Sequence, residues 1–307
     1  MPKVDRKMGE NRFPRVTVVT IVKNILTANR LDTFLQCVES VNSQTYKNVQ
    51  YVVKDGNSTD GTIEFLRELE KSGKFDLVVS EDDGIWSALE MSVNLAEGEF
   101  INFLNSDDYF CNPRAIEVAV KKLVEKKADW FFSGAYVIRE DGSRYLFPTS
   151  IWGVFQCMGI VHQTMFVRTS LLDAAKPFSK FYKTRENYFM MQLIVNRFAY
   201  VHYKEPLVCY REGGYSSKTY GGNNLLETKR DFAGYFFLLV GQFWGLTEDE
   251  CYEVFSTQMF LRGGRFSYQI ISKFKIRRMR YFYLKKLFLY LNQRSHSRYK
   301  LRLSRLK

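Results

Sequence analysis

The sequence predicts an α/β fold: a mainly parallel sheet with helices on both faces, followed by a helical C-terminal extension. Three observations predict it. Strand-like and helix-like segments alternate about every 25 residues through the first half of the chain, which is the pattern of parallel strands joined by crossover helices. Polar clusters stand where those strands end. The cationic excess is confined to the end of the chain: from Val254 to Lys307 there are 15 Lys or Arg and no Asp or Glu, so the preceding residues carry 30 basic against 33 acidic side chains.

The elements follow in order. Residues 16–22, VTVVTIV, form a short β-branched run that reads as a buried strand. Leu31, Phe34, Leu35, Val38 and Val41 recur at helical spacing. VQYVV at 49–53 is a second strand, and STDGTIEFLRELEKSG a helix with Ser58, Thr59 or Asp60 as cap and Gly73 as stop. FDLVVS at 75–80 is a third strand, 85–96 a helix and 100–105 a fourth strand. Asn112-Pro113 opens the next helix, since Asn caps well and Pro suits a first turn. DWFFSGAYVI is a further strand, and Asp141-Gly142 makes a hairpin turn between YVIRE and SRYLF.

Ligands of such sheets bind beyond the carboxyl ends of the strands. Four polar clusters fall there: Lys23-Asn24, Asp55-Gly56-Asn57, Glu81-Asp82-Asp83-Gly84 and Asn105 to Asp108. No G-x-G-x-x-G and no Walker A sequence is present, which argues against a dinucleotide or P-loop site. The acidic edge would repel a diphosphate unless a divalent cation came between them, and carboxylates suit Mg²⁺ or Mn²⁺. Asp107 and Asp108 are the candidate ligands. An aspartate pair after a strand also suits a turn ahead of Asn112-Pro113, and the other three clusters favour the metal.

The five cysteines are scattered without a C-x-x-C, which reads as reduced thiols in a cytosolic protein. His162, His202 and His296 lie far apart, giving little support to a zinc hydrolase or a histidine-driven triad. The N-terminal segment is polar and lacks a signal-peptide core, and FAGYFFLLVGQFWGL at 232–246 is too short and Gly-interrupted for a membrane span.

The segments VTVVTIVKN, VESVNSQTYKNVQYVVKDGNSTDGT, SEDDGIW, AEGEFINFLNSDDYF and HQTMFVR together resemble the family 2 glycosyltransferases over roughly residues 14–220. The resemblance implies the GT-A form of a Rossmann-like sheet, a nucleotide-diphosphate sugar donor and inversion at the anomeric carbon. It divides the chain into an N-terminal tail (1–13), a catalytic domain (14–222, with a nucleotide-binding half 14–112 and an acceptor half 113–222) and a basic helical extension (223–307). It assigns Thr20, Val22 and Asn24 to the start of the nucleotide pocket, Asp55 to the base, and Asp83 to the ribose and diphosphate. Asn105, Ser106 and Asp107 stand at the family's D-x-D, with Asn in place of the first Asp, and Asp107 and Asp108 then carry the Mn²⁺ or Mg²⁺ and ribose contacts. Glu186, within KTRENYFMMQL, stands where the family has its catalytic base; a first-turn glutamate favoured by the helix dipole would look the same. His162 and Gln163 fall on the acceptor side, and EGGYSS at 212–217 resembles a Gly-Gly-x-Ser loop over the donor. Ser87 to Ser92 depart from the family's usual Asp-Ala-x-Asn-Lys-Gly.

The same resemblance implies a UDP-sugar ahead of a GDP- or dTDP-sugar, with transfer of a hexosyl or N-acetylhexosaminyl group to a lipid-linked saccharide, in bacterial cell-surface polysaccharide such as lipopolysaccharide or capsule. The basic stretch 273–307 mixes Lys and Arg with an apolar stripe of Ile276, Met279, Tyr283, Leu287 and Tyr290, which suits an anionic membrane surface. The expected place is cytoplasmic and peripheral, at the inner face of the cell membrane, with no nucleic acid. The alternatives are a nucleic-acid-binding protein acting through the tail and an inactive scaffold of a polysaccharide assembly.

Overall fold

In the computed structural model, the structure describes residues 13–147, 149–151, 159–175, 189–190, 193–194 and 198–214. The elements are β1 (Val16–Val22), α1 (Leu31–Asn42), β2 (Val49–Asp55), α2 (Thr62–Glu70), β3 (Asp76–Val79), α3 (Ile85–Val93), β4 (Phe100–Phe103), β5 (Tyr109–Phe110), α4 (Ala115–Lys126), β6 (Trp130–Ile138), β7 (Arg144–Phe147), a 3₁₀ turn (His162–Thr164), β8 (Phe166–Arg168), α5 (Ser170–Ala175) and β9 (Tyr200–Arg211). The basic extension, Glu186 and the 232–246 segment lie outside the described residues.

One sheet runs in the order β3-β2-β1-β4-β8-β6-β9-β5, with β7 hydrogen-bonded to β6. The expected parallel sheet holds for β3-β2-β1-β4. Beyond β4 the sheet is mixed: β8 runs antiparallel to both β4 and β6, β5 to β9 and β7 to β6, while β6 and β9 are parallel. "Mainly parallel" is therefore corrected to mixed. The strand-helix alternation that marks crossovers stops at β6, and the short β5 and β8 carry no periodicity of their own. The chain moves from β1 outward through β2 and β3, then returns to β4 on the other side of β1. That reversal opens a crevice at the carboxyl ends of β1 and β4.

Period-two alternation sends side chains to two cores. Val16, Val18, Phe131 and Phe166 pack against α1, α2 and α4 through Phe34, Val38, Leu66, Ile116 and Val120. Val19, Trp130 and Phe132 pack on the opposite face with Leu171 and Leu172 of α5 and Val93 of α3. Trp130, Phe131 and Phe132 are fully buried, each ring contributing on the order of 1.5–3 kcal/mol of transfer free energy. In α1 the buried stripe is Phe34, Cys37, Val38 and Val41, and Leu35 is instead exposed. The α2 start also differs from expectation: Gly61 (φ 90°) is the N-cap, Ser58 is engaged elsewhere, and Asp60 Oδ1 accepts from Thr62 N–H at 3.1 Å. No helix among the described residues is long and apolar enough to cross a membrane.

The β6–β9 pair carries a register shift on both sides of Gly134, opposite Pro206, which has no N–H to give a ladder. A Cβ on Gly134 would lie 2.5 Å from the Lys204 carbonyl oxygen. Since backbone cannot swing aside as a side chain does, Gly134→Ala should destabilise the fold by about 1–3 kcal/mol, read as a lower urea midpoint.

Candidate active site

The loops after β1 and β2 are laced together at the crevice. Asn24, in the left-handed region at φ 50°, donates its N–H to Ser58 Oγ (2.8 Å) and accepts from Thr59 N–H (2.9 Å). Thr27 N–H donates to Asp60 Oδ2 at 2.8 Å, and Gly56 N–H to the Val22 carbonyl at 3.0 Å. Asp55 is fully buried, and its two oxygens accept from the Ser58 N–H (2.7 Å) and hydroxyl (2.6 Å). Its carboxylate braces the loop and holds Ser58 for Asn24. Thr20 points under α1: its hydroxyl meets Tyr51 Oη at 3.1 Å and Cys37 Sγ at 3.6 Å, and burial pushes the Cys37 thiol up to about 12. The structure thus draws Thr20 away from the crevice. Val22, also buried, reaches it through its carbonyl.

At the ends of β2 and β3, buried Lys54 donates to Asp82 Oδ2 (2.6 Å) and to the Ser80 carbonyl (3.1 Å), while Asp82 Oδ1 accepts from Gly84 N–H (3.1 Å). Gly56 is needed for this approach, since a Cβ there would stand 2.7 Å from Asp82 Oδ2. Within the Glu81-Asp82-Asp83-Gly84 cluster, Asp82 is thus the structural member, and Glu81, Asp83 and Gly84 are exposed. Sequence reasoning missed Lys54, because a lysine inside a strand carries no sign of its partner 28 residues on. α3 forms over the departing residues 87–92, with Ser92 Oγ–H donating to the Ala88 carbonyl at 2.6 Å.

The Asn105–Asp108 turn closes through Asp108 N–H to the Asn105 carbonyl at 3.0 Å. The two aspartates then part. Asp108 is fully buried; its Oδ1 accepts from Arg211 N–H of β9 (2.8 Å) and its Oδ2 from Gln163 Nε2 of the 3₁₀ turn (2.6 Å). Burial, reinforced by the neighbouring Asp107 charge, holds its carboxyl well above the usual range. Both oxygens are occupied by protein donors, so Asp108 is a cross-link and not an open metal ligand. Asp107 faces the crevice: its Oδ2 lies 3.8 Å from Arg30 Nη1, and a Cβ on Gly214 would stand 3.0 Å from the same oxygen. The Arg211 guanidinium bonds the Asp107 carbonyl and Gln36 Oε1 and lies 5.0 Å above the Tyr109 ring. Arg30 and Arg211 were also missed, since each reaches the turn only through the fold.

His162 Nε2 stands 3.4 Å from Asn105 Oδ1, so Asn105, His162 and Gln163 are brought to the same turn, while Ser106 is buried within it. Beside His162 opens an apolar pocket lined by Trp86, Leu89, Phe103, Met165 and Phe189. Burial pushes the His162 imidazole down to about 4, so it is neutral near pH 7 and adds no positive charge. Among the described residues, no three His, Cys, Asp or Glu side chains converge into a metal cage. The Asp107 carboxylate, held by Arg30 at 3.8 Å, fits a hard cation whose other ligands are phosphate oxygens and water.

Comparison with known proteins decides the lineage. Residues 24–195, more than half of the chain, match the family described as glycosyl transferase family 2. The chain belongs to that family. Among curated members, it is 29% identical over 134 residues to the glycosyltransferase GlyA of Streptococcus pneumoniae, covering 43% of this chain and 18% of GlyA. It is 30% identical over 121 residues to the UDP-Glc:alpha-D-GlcNAc-diphosphoundecaprenol beta-1,3-glucosyltransferase WfaP of Escherichia coli, covering 39% and 48%. The chain thus spans less than half the length of either relative. Among solved family-like folds, S. aureus TarS 1-349 in complex with UDP-GlcNAc superposes with a TM-score of 0.58 at 19% identity, over 73% of this chain and 66% of that one. The mannosyltransferase PcManGT of Pyrobaculum calidifontis, in complex with GDP-Man and Mn²⁺, gives 0.54 at 17% identity, over 75% and 65%. The fold of this glycosyl transferase family 2 chain is accordingly GT-A-like.

Two outcomes follow for the family 2 site. Asp108→Ala strands the Arg211 N–H and the Gln163 amide without an acceptor and should cost about 2–5 kcal/mol, whereas Asp107→Ala, whose part-buried carboxylate stands 3.8 Å from Arg30, should cost under about 1 kcal/mol; thermal melting separates them. His162 titrates with a definite sign. Its folded value of about 4 lies below its ordinary 6.5, so the unfolded chain binds more protons in between. Its contribution to stability is full above pH about 6.5 and is lost as the pH falls towards 4. The urea midpoint of the unaltered chain should therefore fall relative to that of His162→Gln as the pH is lowered through that window.

Proposed function

We propose that the chain is an inverting glycosyltransferase that moves a hexosyl or N-acetylhexosaminyl group from a nucleotide-diphosphate sugar to an acceptor hydroxyl, in cell-surface polysaccharide synthesis. One observation carries this reading: at the reversal point of the sheet, Asp107 stands beside an arginine, and among the described residues its carboxylate takes none of the bracing hydrogen bonds that hold Asp55 and Asp108.

In this reading the laced Asn24 and Asp55–Asp60 loops form the floor for the base, and Asp83 and Gly84 border the ribose and diphosphate. Asp107 would hold Mn²⁺ or Mg²⁺; when bound, such a cation offsets the charge that builds on the leaving diphosphate. Glu186 takes the proton from the acceptor hydroxyl. The freed oxygen forms its bond to the anomeric carbon on the face opposite the nucleotide, and the bond to the diphosphate oxygen breaks, so configuration inverts in one displacement. His162, Gln163 and the apolar pocket beside them border the acceptor side. Support for the donor class comes from the UDP-GlcNAc complex of TarS and the GDP-Man and Mn²⁺ complex of PcManGT. Support for a UDP-sugar and a lipid-linked acceptor comes from the activity named for WfaP. The 273–307 tail would bring the enzyme to an anionic membrane, where such an acceptor resides.

A panel of nucleotide sugars with and without Mn²⁺, read by thermal shift and by nucleotide release, tests the reading. One nucleotide class should bind, and only with the cation; no response from any of them would remove the assignment. Glu186→Gln should keep donor binding and lose roughly 10²- to 10⁴-fold in transfer rate, and transfer at the unaltered rate would exclude Glu186 as the base.

A further inference from the structure

We infer that Arg30 exchanges partners during donor binding: it neutralises Asp107 in the free protein and, once a divalent cation takes that carboxylate, turns its guanidinium to the donor diphosphate. This rests on the metal-dependent donor site proposed above.

The two arginines near Asp107 differ in how they are held. The Arg211 guanidinium is spent on the Asp107 carbonyl, Gln36 Oε1 and the Tyr109 ring. It serves the backbone of the turn and leaves the Asp107 carboxylate open. Among the described residues, the hydrogen bonds of Arg30 are those of its backbone: its N–H donates to the Ile25 carbonyl at 2.9 Å, and its carbonyl accepts from Phe34 N–H (3.0 Å) and the Thr33 hydroxyl (2.9 Å). Its side chain, a third exposed, meets Asp107 at 3.8 Å, beyond hydrogen-bond length. It is a loose electrostatic partner on a fixed stem, standing where the loop after β1 faces the Asn105–Asp108 turn.

A guanidinium and a divalent cation compete for the same oxygen. Wherever the cation binds, Arg30 loses its partner and the site gains the negative diphosphate, whose oxygens match the planar fork of an arginine. Neutral His162 does not supply that charge, and the described Lys54 is buried on Asp82. The exchange keeps the crevice from holding an unpaired carboxylate before the donor arrives or an unpaired arginine after.

The signature is a pair of effects of opposite sign, read by titration calorimetry. For Arg30→Gln, Mn²⁺ alone should bind about two- to fivefold more tightly, because an exposed competing charge is gone. UDP in the presence of saturating Mn²⁺ should bind roughly tenfold more weakly, because a charged hydrogen-bond donor is gone. Arg30→Lys, which keeps the charge and loses the fork, should restore the weaker Mn²⁺ binding and only part of the UDP affinity. Thermal melting checks that both variants fold. If Arg30→Gln binds Mn²⁺ and UDP as the unaltered chain does, or loses affinity for both, the exchange is wrong while the donor site stands. If the unaltered chain binds neither UDP nor GDP with Mn²⁺, the donor reading fails and takes this inference with it.

Discussion

The buried carboxylate of Asp108 is the constraint on which the site depends. It lies on the turn after β4, yet its two hydrogen bonds reach the 3₁₀ turn at Gln163 and the end of β9 at Arg211. Three segments separated by 55 and 103 residues are thereby fixed to one another at a single side chain. Burying a carboxyl group is costly unless donors meet it, and here one donor comes from each of the other two segments. If any segment moves, a buried polar group loses its partner, so the turn holds one geometry. That fixed turn is what presents Asp107 to the crevice.

Adjacent residues of the same type therefore do opposite work. The Asn105–Asp108 turn sends the two side chains to different surroundings, Asp108 into the interior and Asp107 towards Arg30. Asp108 loses access to ions and gains strength as a brace. Asp107 keeps a weak contact with Arg30 and stays available. The register shift at Gly134 belongs to the same arrangement: β9 crosses it before its last residues run beside β6 to Arg211. A strand in uniform register would deliver a different residue to the Asp108 carboxylate.

Much of the first half of the fold was legible in the sequence because β1, α1, β2 and α2 carry strong periodicity, and the polar clusters do stand at strand ends, as the alternation requires. The rest was hidden for physical reasons. β5 and β8 span two and three residues, too few to show alternation, and they owe their strand geometry to β9 and β4. The turn-and-cap reading and the metal reading of Asp107-Asp108 competed in the sequence because composition assigns a role to a pair, whereas burial acts on each side chain. Thr20 illustrates the same limit. Strand parity places it with Val16 and Val18 under α1, so its hydroxyl joins Tyr51 and not the crevice. Lys54, Arg30 and Arg211 were invisible because a cation in a sequence shows its charge and not its distant partner.

The distribution of charge explains how so few groups can discriminate a ligand. Lys54 and Asp82 neutralise each other in the interior, Asp55 is satisfied by Ser58, and the Arg211 guanidinium is consumed by backbone and ring. These paired groups project little net field into the crevice, and they cannot reorient without leaving a buried charge unpaired, a loss of about 3–5 kcal/mol for a broken buried pair. Among the described residues, the responsive part of the site is then the Asp107 and Asp83 carboxylates, exposed Lys23 and the loosely held Arg30. A rigid, internally neutral frame around a small set of available charges lets an incoming cation and diphosphate alter local electrostatics without altering the fold, which is the arrangement expected where pre-set dipoles and charges, rather than large rearrangement, stabilise a departing anion.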